Sequence, residues 1–208
     1  VKKYKIAEMF YSIQGEGVRA GTAAVFLRFA GCNLKCTKAT VGWDCDTDHA
    51  CREELTAAEI VDRHLEIANR CKWVVATGGE PMLQLDAELI VALANRGISV
   101  AVETNGTLPV PVMVDWVTVS PKPGSIIRQP DAEEVKIVLS AGDEPPALLP
   151  NGKNSYRVMG IRCRYPILSP AWLPDQMDST AVVWCVAKVR EDPRWRLSVQ
   201  AHKLIGVR

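Results

Sequence analysis

Short apolar runs recur along this chain with helix-patterned segments between several of them, and that alternation restricts the fold more than any other property. The runs fall at Ala24–Phe29, Trp73–Thr77, Ser99–Glu103, Trp116–Ser120, Val135–Leu139, Pro166–Leu168 and Arg196–Gln200. Brief, partly β-branched and mostly apolar, they suit strands covered on both faces. Between them, Thr56-Ala-Ala-Glu59 has the form of a capping box and opens a helix to about Arg70, with Ile60, Val61, Leu65 and Ala68 on one face. Asp86 can cap a second helix carrying Leu89, Ile90, Leu93 and Ala94, with Gly97 as its C′ residue. A third is expected from Ser179 to Arg190, with Val182, Val183, Val186 and Val189 inward and Pro193 ending it. Strand–helix–strand alternation implies parallel strands. The stretches Asn105–Asp115 and Gly142–Arg164 look like loops, and eight full βα units do not fit in 208 residues. The expected fold class is α/β: a partial (incomplete) β/α barrel with a reduced number of helices, in one domain over residues 1–208.

Composition excludes several classes. With 48% apolar and 24% charged residues the chain is ordinary for a globular protein, and it is long enough for a full core. A net charge of +1 with no basic field argues against direct nucleic-acid binding. The charged start, Val1-Lys-Lys-Tyr-Lys5, leads into no apolar leader segment, and no run approaches the length of a membrane span. The chain is therefore expected to be soluble and cytoplasmic, with no membrane partner.

Seven cysteines is an odd count, and without a leader segment a disulfide framework is not expected. Cys71, Cys163 and Cys185 are scattered beside apolar residues and read as small core side chains; Cys51 stands nearer the cysteine loop. That loop follows the run at Ala24–Phe29: Gly31-Cys-Asn-Leu-Lys-Cys36, eight residues, then Cys45-Asp-Thr47. Three thiolates can hold an iron–sulfur cluster and leave one iron open to a substrate or cofactor, whereas a cluster with four cysteines mainly passes electrons. A zinc site from Cys36, Cys45, Cys51 and His49 is the alternative, although no close C-x2-C pair is present.

Polar groups gather at the ends of successive runs, the rim where barrels place active sites. Gln14-Gly-Glu-Gly17 precedes the first run, and its glycines allow the backbone to approach a ligand closely. Thr77-Gly-Gly-Glu-Pro81, Glu103-Thr-Asn-Gly106, Ser120-Pro-Lys-Pro123 and Ser169-Pro170 close later ones. Gly-Gly after a strand can offer backbone N–H and C=O groups to a ligand, and Glu80 can accept from an ammonium or amide. Each motif alone is also a common turn composition. Among the three histidines, His64 lies within a helix, His49 near the cysteines, and His202, just past the last run, is the best acid/base or hydrogen-bonding candidate.

Taken together, the cysteine loop and the Gly-Gly-Glu-Pro strand end resemble the radical S-adenosylmethionine (SAM) enzymes. More narrowly, Gln14-Gly-Glu-Gly17, Arg28-Phe-Ala-Gly-Cys-Asn33, Cys45-Asp-Thr47, Glu103-Thr-Asn-Gly106, Ser120-Pro-Lys122 and Gln200-Ala-His-Lys203 resemble the 7-carboxy-7-deazaguanine synthase family. One spacing departs from that family's usual Cys-x3-Cys-x2-Cys: eight residues separate Cys36 from Cys45, and Asp44 precedes Cys45, with the aromatic Trp43 one place earlier. The resemblance implies a partial barrel of radical SAM type and a lyase that converts 6-carboxy-5,6,7,8-tetrahydropterin to 7-carboxy-7-deazaguanine with loss of ammonia. It implies a [4Fe–4S] cluster on Cys32, Cys36 and Cys45, SAM used catalytically, and Mg2+ on Thr47. It implies a SAM site of Gly79, Glu80, Thr104, Ser120, Pro121, Lys122, Ser169 and Pro170. The pterin would be held by Ile13, Gln14, Gly15, Glu16, Arg28, Thr77, His202 and the terminal carboxylate of Arg208, with Glu16 and His202 in catalytic positions. An electron donor such as flavodoxin and a homodimer are implied as well. A radical SAM activase that generates a glycyl radical on a partner protein is the other enzyme reading.

Overall fold

The computed structural model describes residues 1–45, 47–68, 70–173 and 176–207. In chain order its elements are β1 (Tyr4–Ile13), β2 (Ala23–Phe29), α1 (Lys38–Val41), β3 (Glu53–Leu55), α2 (Ala57–Ala68), β4 (Trp73–Gly78), α3 (Ala87–Ala94), β5 (Ser99–Thr104), β6 (Trp116–Val119), β7 (Asp131–Leu139), β8 (Leu148–Pro150), β9 (Tyr156–Val158), β10 (Ile161–Pro170), α4 (Ser179–Glu191), β11 (Arg196–Leu197) and α5 (Ala201–Leu204). The strands join one open sheet in the order β3-β1-β2-β4-β5-β6-β7-β10-β9-β8, with β11 beside β10. Its centre, from β2 through β10, is parallel, as the alternation of runs implied. Antiparallel strands extend both ends. No helix intervenes between β5 and β6 or between β6 and β7. This is the partial β/α barrel with fewer helices than strands.

Two strands escape the simple pattern for physical reasons. In β1 the pairing with β2 shifts between Ile6 and Glu8, so the inward–outward alternation changes parity partway along. In β10, Ile161-Arg-Cys-Arg164 alternates buried apolar with exposed charged residues, which marks a strand half covered rather than a loop. Residues 142–164, expected as a loop, also contain the short strands β8 and β9.

Helices α2, α3 and α4 cover the outer face of the sheet. The Thr56–Glu59 capping box forms, with Glu59 N–H donating to Thr56 Oγ1 at 3.2 Å and Thr56 N–H to Glu59 Oε2 at 2.7 Å. Asp86 caps α3 by accepting from Leu89 N–H at 3.2 Å, and Gly97 beyond its end takes φ +66°. Ile60, Leu89, Ile90 and Leu93 pack with Val74, Ala76, Val100 and Val102 in one core. Truncating Leu89 or Leu93 to alanine should cost about 2–5 kcal/mol. Helix α4 differs from expectation. Its buried residues are Ala181 and Cys185, while Val183 and Val186 are exposed. Apolar residues surround this helix almost evenly, so periodicity alone does not select a face. Cys71 and Cys163 are likewise buried. His64 is fully buried, donates from Nε2 to the Cys71 carbonyl at 2.9 Å, and is held below the usual imidazole range by that burial.

The inner face changes character along the strands. One transverse row, Phe26–Val75–Ala101–Trp116, is apolar. Two residues further toward the strands' C-terminal ends, Arg28 pairs with Thr77, and Glu103, Thr118, Glu134 and Tyr165 follow across the sheet. A side-chain period of two therefore places a polar layer directly on an apolar floor.

Candidate active site

Above that floor lie two adjoining cavities, of about 370 Å³ and about 220 Å³. The larger is bordered by Cys32, Cys36 and Cys45, with Trp43 from the intervening segment, and by residues at the ends of β4, β5, β6 and β10. Both sizes are in or near the range of small-molecule sites.

The cysteine loop is tied to the sheet by backbone bonds. Gly31 N–H donates to the His49 carbonyl at 2.9 Å, and Glu80 N–H donates to the Gly31 carbonyl at 2.9 Å. A Cβ on Gly79 would lie 1.9 Å from the Gly31 oxygen, so only glycine lets the β4 end approach the first cysteine this closely. Segment 37–44 contains α1, and Cys45 N–H donates to the Cys36 carbonyl at 3.3 Å. All of the cysteines are free thiols. Burial pushes the Cys32 and Cys36 thiols up, and the other loop cysteines add to this. Clustered thiolates are thus unfavourable until positive charge joins them, which iron supplies. Among the described residues no group of three His, Cys, Asp or Glu is placed for a single metal ion. Three thiols spread around one cavity suit a multi-iron cluster.

Of the residues implied for SAM, Gly79, Thr104, Ser120, Lys122, Ser169 and Pro170 border this cavity. Lys122 Nζ donates to Ser120 Oγ at 2.8 Å, and its burial lowers its pKa. Glu80 and Pro121 do not line it. Instead, the fully buried Glu80 carboxylate accepts from Thr104 Oγ1 at 2.6 Å, Asn105 N–H at 2.8 Å and Met82 N–H at 3.0 Å. Those donors join it to the ends of β4 and β5, and its full burial keeps it out of the cavity lining. The N–H groups of Gly79 and Glu80 are also taken, by the carbonyls of Phe29 and Gly31. What the Gly-Gly turn contributes is close approach, not free donors.

The smaller cavity contains every residue implied for the pterin that lies among the described ones: Ile13, Gln14, Gly15, Glu16, Arg28, Thr77 and His202. Arg208 and Asp46 fall outside the described residues. Phe10 and Phe26, stacked at 5.2 Å, belong to its lining. Gln14 Nε2 donates to Glu103 Oε1 at 2.8 Å. Arg28 Nε lies 2.9 Å from Glu8 Oε1. His202 stands against Gly15, where a Cβ would come within 2.0 Å of its Nδ1, and Ala201 N–H donates to the Gly15 carbonyl at 2.9 Å. Burial holds the His202 imidazole below its ordinary pKa, so it is neutral at pH 7. Glu16 pairs with Lys136 and accepts from Gln200 Nε2 at 2.8 Å. Burial alone would raise the Glu16 carboxyl, but these partners outweigh it and hold it low.

Thr47 borders both cavities, as do Glu16, Thr77, Glu103, Lys136 and Gln200. His49 borders the larger one. Lys136 was not anticipated. The signal was a single lysine inside the apolar run Val135–Leu139, in phase with Glu134 and out of phase with the buried Val135, Ile137 and Leu139.

The open barrel and its cysteine loop define the radical SAM class of iron–sulfur enzymes. Known proteins narrow that class. Residues 13–107 match a family model described as a 4Fe-4S single cluster domain. The chain is 41% identical to the 7-carboxy-7-deazaguanine synthase of Bacteroides thetaiotaomicron, with 98% of each chain covered. It is 38% identical to that of Caulobacter vibrioides, covering 98% of this chain and 99% of the relative. QueE from Escherichia coli has the same fold, with a TM-score of 0.69 and 23% identity over 96% of this chain and 95% of that one. The chain belongs to the 7-carboxy-7-deazaguanine synthase family. Among the described residues no helix is long and apolar enough to cross a membrane.

Proposed function

We propose that the chain is a carbon–nitrogen lyase that converts 6-carboxy-5,6,7,8-tetrahydropterin to 7-carboxy-7-deazaguanine with loss of ammonia. The relatives' shared name supports the product. The observation that carries the reading to these residues is the wall common to both cavities, because occupants of the two would be neighbours. Cys32, Cys36 and Cys45 would hold the [4Fe–4S] cluster, and Gly79, Thr104, Ser120, Lys122, Ser169 and Pro170 would surround SAM. When bound, cluster and SAM supply one-electron chemistry that removes a hydrogen atom from the substrate.

The chain's own residues bind and orient. Phe10 and Phe26 give the planar pyrimidinone half of the pterin an aromatic surface. The carboxylates of Glu16 and Glu103 are acceptors for its ring N–H and amino groups, and the Arg28 guanidinium suits the substrate carboxylate. The neutral His202 imidazole can accept or donate one hydrogen bond at the rim, fixed there by the absent side chain of Gly15. Thr47 would give a hydroxyl oxygen to Mg2+, which keeps most of its shell as water and substrate oxygen. An activase acting on a partner protein needs no such polar second cavity. A homodimer and reduction by a protein such as flavodoxin complete the reading.

The test is anaerobic reconstitution of the cluster, then reductant, SAM, Mg2+ and the carboxytetrahydropterin, with the deazaguanine measured. Product formation is expected; SAM cleavage without product would assign another substrate. Thr47→Ala should keep the cluster and weaken the response to Mg2+; an unchanged Mg2+ titration would remove that role.

A further inference from the structure

We propose that Lys136 is a positioning residue for this reaction, one that fixes the Glu16 carboxylate in the wall between the two cavities; the inference rests on the functional reading above. Lys136 lies on the inward face of β7 and borders both cavities. Its ammonium meets Glu16 Oε2, while Gln200 Nε2 donates to Glu16 Oε1 at 2.8 Å. Glu16 is thus gripped through both oxygens. The same strand face also holds the backbone of that loop. Glu134, two residues earlier, accepts from Val18 N–H at 2.8 Å, and Ser198 Oγ accepts from Gly17 N–H at 2.8 Å. A Cβ on Gly17 would fall 2.3 Å from Glu134 Oε2, so loop and strand are in direct contact.

A filler role does not explain a charge at this position. The Lys136 and Glu16 side chains are only 12% and 11% exposed. Taking such a pair out of water is costly, and apolar side chains of similar volume often serve stability as well or better. What the ion pair adds is direction: a carboxylate held in one orientation at the boundary of the two cavities. Lys136 is faced by Glu16 from the loop before β2, Glu103 from β5, Glu134 from β7 and Lys122 beyond β6. Glu16 is faced in addition by His202 from α5 and by Lys122. The three carboxylates outweigh burial and keep Lys136 charged.

The test uses the reconstituted full chain, with cluster absorbance and SAM binding recorded first. Lys136→Met should leave both in place and lower kcat/KM for the carboxytetrahydropterin about 100-fold at neutral pH, the scale of a small misplacement at a reacting centre. The acid limb of its pH profile should move to higher pH, because Glu16 loses the cation that holds it ionised. Lys136→Arg should recover most of the rate and the original limb. In the apo chain, carbon-13 NMR of the Glu16 carboxyl should titrate at higher pH in Lys136→Met than in wild type. An unchanged limb and an unchanged Glu16 titration would overturn the proposal. If wild type makes no deazaguanine, the functional reading fails while the NMR titration still decides the coupling. Should Lys136→Met not fold, the double variant Glu16→Gln/Lys136→Met removes the stranded charge. On the Glu16→Gln background, Lys136→Met should cost no further activity; an additional tenfold loss would show that Lys136 does not act through Glu16.

Discussion

The cysteine loop and the ionic wall border the same cavity but are assembled differently. At the first cysteine the loop is tied to distant strand ends, since Asn105 Nδ2 donates to Asn33 Oδ1 at 3.0 Å and Asn33 Nδ2 to Thr107 Oγ1 at 2.8 Å. From Cys36 to Cys45, however, the contacts are local: Thr37 and Thr40 cap one another, and Lys38 N–H donates to Asp44 Oδ1 at 2.9 Å across six positions. In the wall they are distant: Gln14 to Glu103 spans 89 positions, Glu16 to Lys136 spans 120, and Gln200 to Glu16 spans 184. Folding of the whole sheet therefore preorganises the wall. Cys36 and Cys45 depend on neighbours a few residues away and would gain their full order from iron, whose binding free energy would become folding free energy of the segment. One site thus combines a half built by the fold and a half completed by the cofactor.

Substitutions on either side can break that division. The largest effect is expected from Cys45→Ala, which should abolish the cluster's brown absorbance while leaving the far-ultraviolet spectrum of the sheet unchanged; a retained cluster would remove Cys45 from the ligand set. Next comes Gly15→Ala in the wall. Its Cβ would fall 2.0 Å from His202 Nδ1, so the imidazole must leave. A rise in KM of roughly tenfold with normal cluster content is expected, the scale of one lost polar contact; an unchanged KM would show that His202 does not meet the substrate. Gly17→Ala follows. At φ +70° an alanine costs about 1–2 kcal/mol of stability, measurable by urea unfolding, before any clash with Glu134 is counted.

The smallest effect lies outside both regions. His64 has a folded pKa held below its unfolded value of 6.5 by burial. The unfolded chain then takes up its proton first, so stability falls as pH drops from 6.5 toward the folded pKa. A His64→Leu chain, whatever its stability at pH 7, should lose less between pH 7 and pH 5 than wild type; parallel losses would place the acid sensitivity elsewhere.

The same division explains what could be read from the residues. The cysteine loop, the capping box at Thr56, the N-cap at Asp86, and Gly97 are local patterns, legible within a few positions. The strand-end motifs gather on one rim because strand polarity sets where they emerge. Lys136 was hidden because its meaning depends on strand parity and on Glu16, far away in the chain. Glu80 shows the complementary case: its motif suggests a ligand, and in the fold three protein donors from neighbouring segments hold it outside the cavity lining. The buried face of α4 could not be chosen because valines flank Ala181 and Cys185 on nearly every side. In β1, a bulge broke the alternation that would have marked it.

Cofactor and substrate are proposed to occupy adjoining cavities and to meet where these share their lining residues. The most direct measurement is isotopic: substrate deuterated at C6 is turned over by the reconstituted enzyme, and the SAM recovered afterwards is examined by mass spectrometry. Deuterium accumulating in SAM is predicted, since hydrogen-atom transfer requires the two occupants to touch where the cavities adjoin. Product formed with no deuterium in SAM would contradict it.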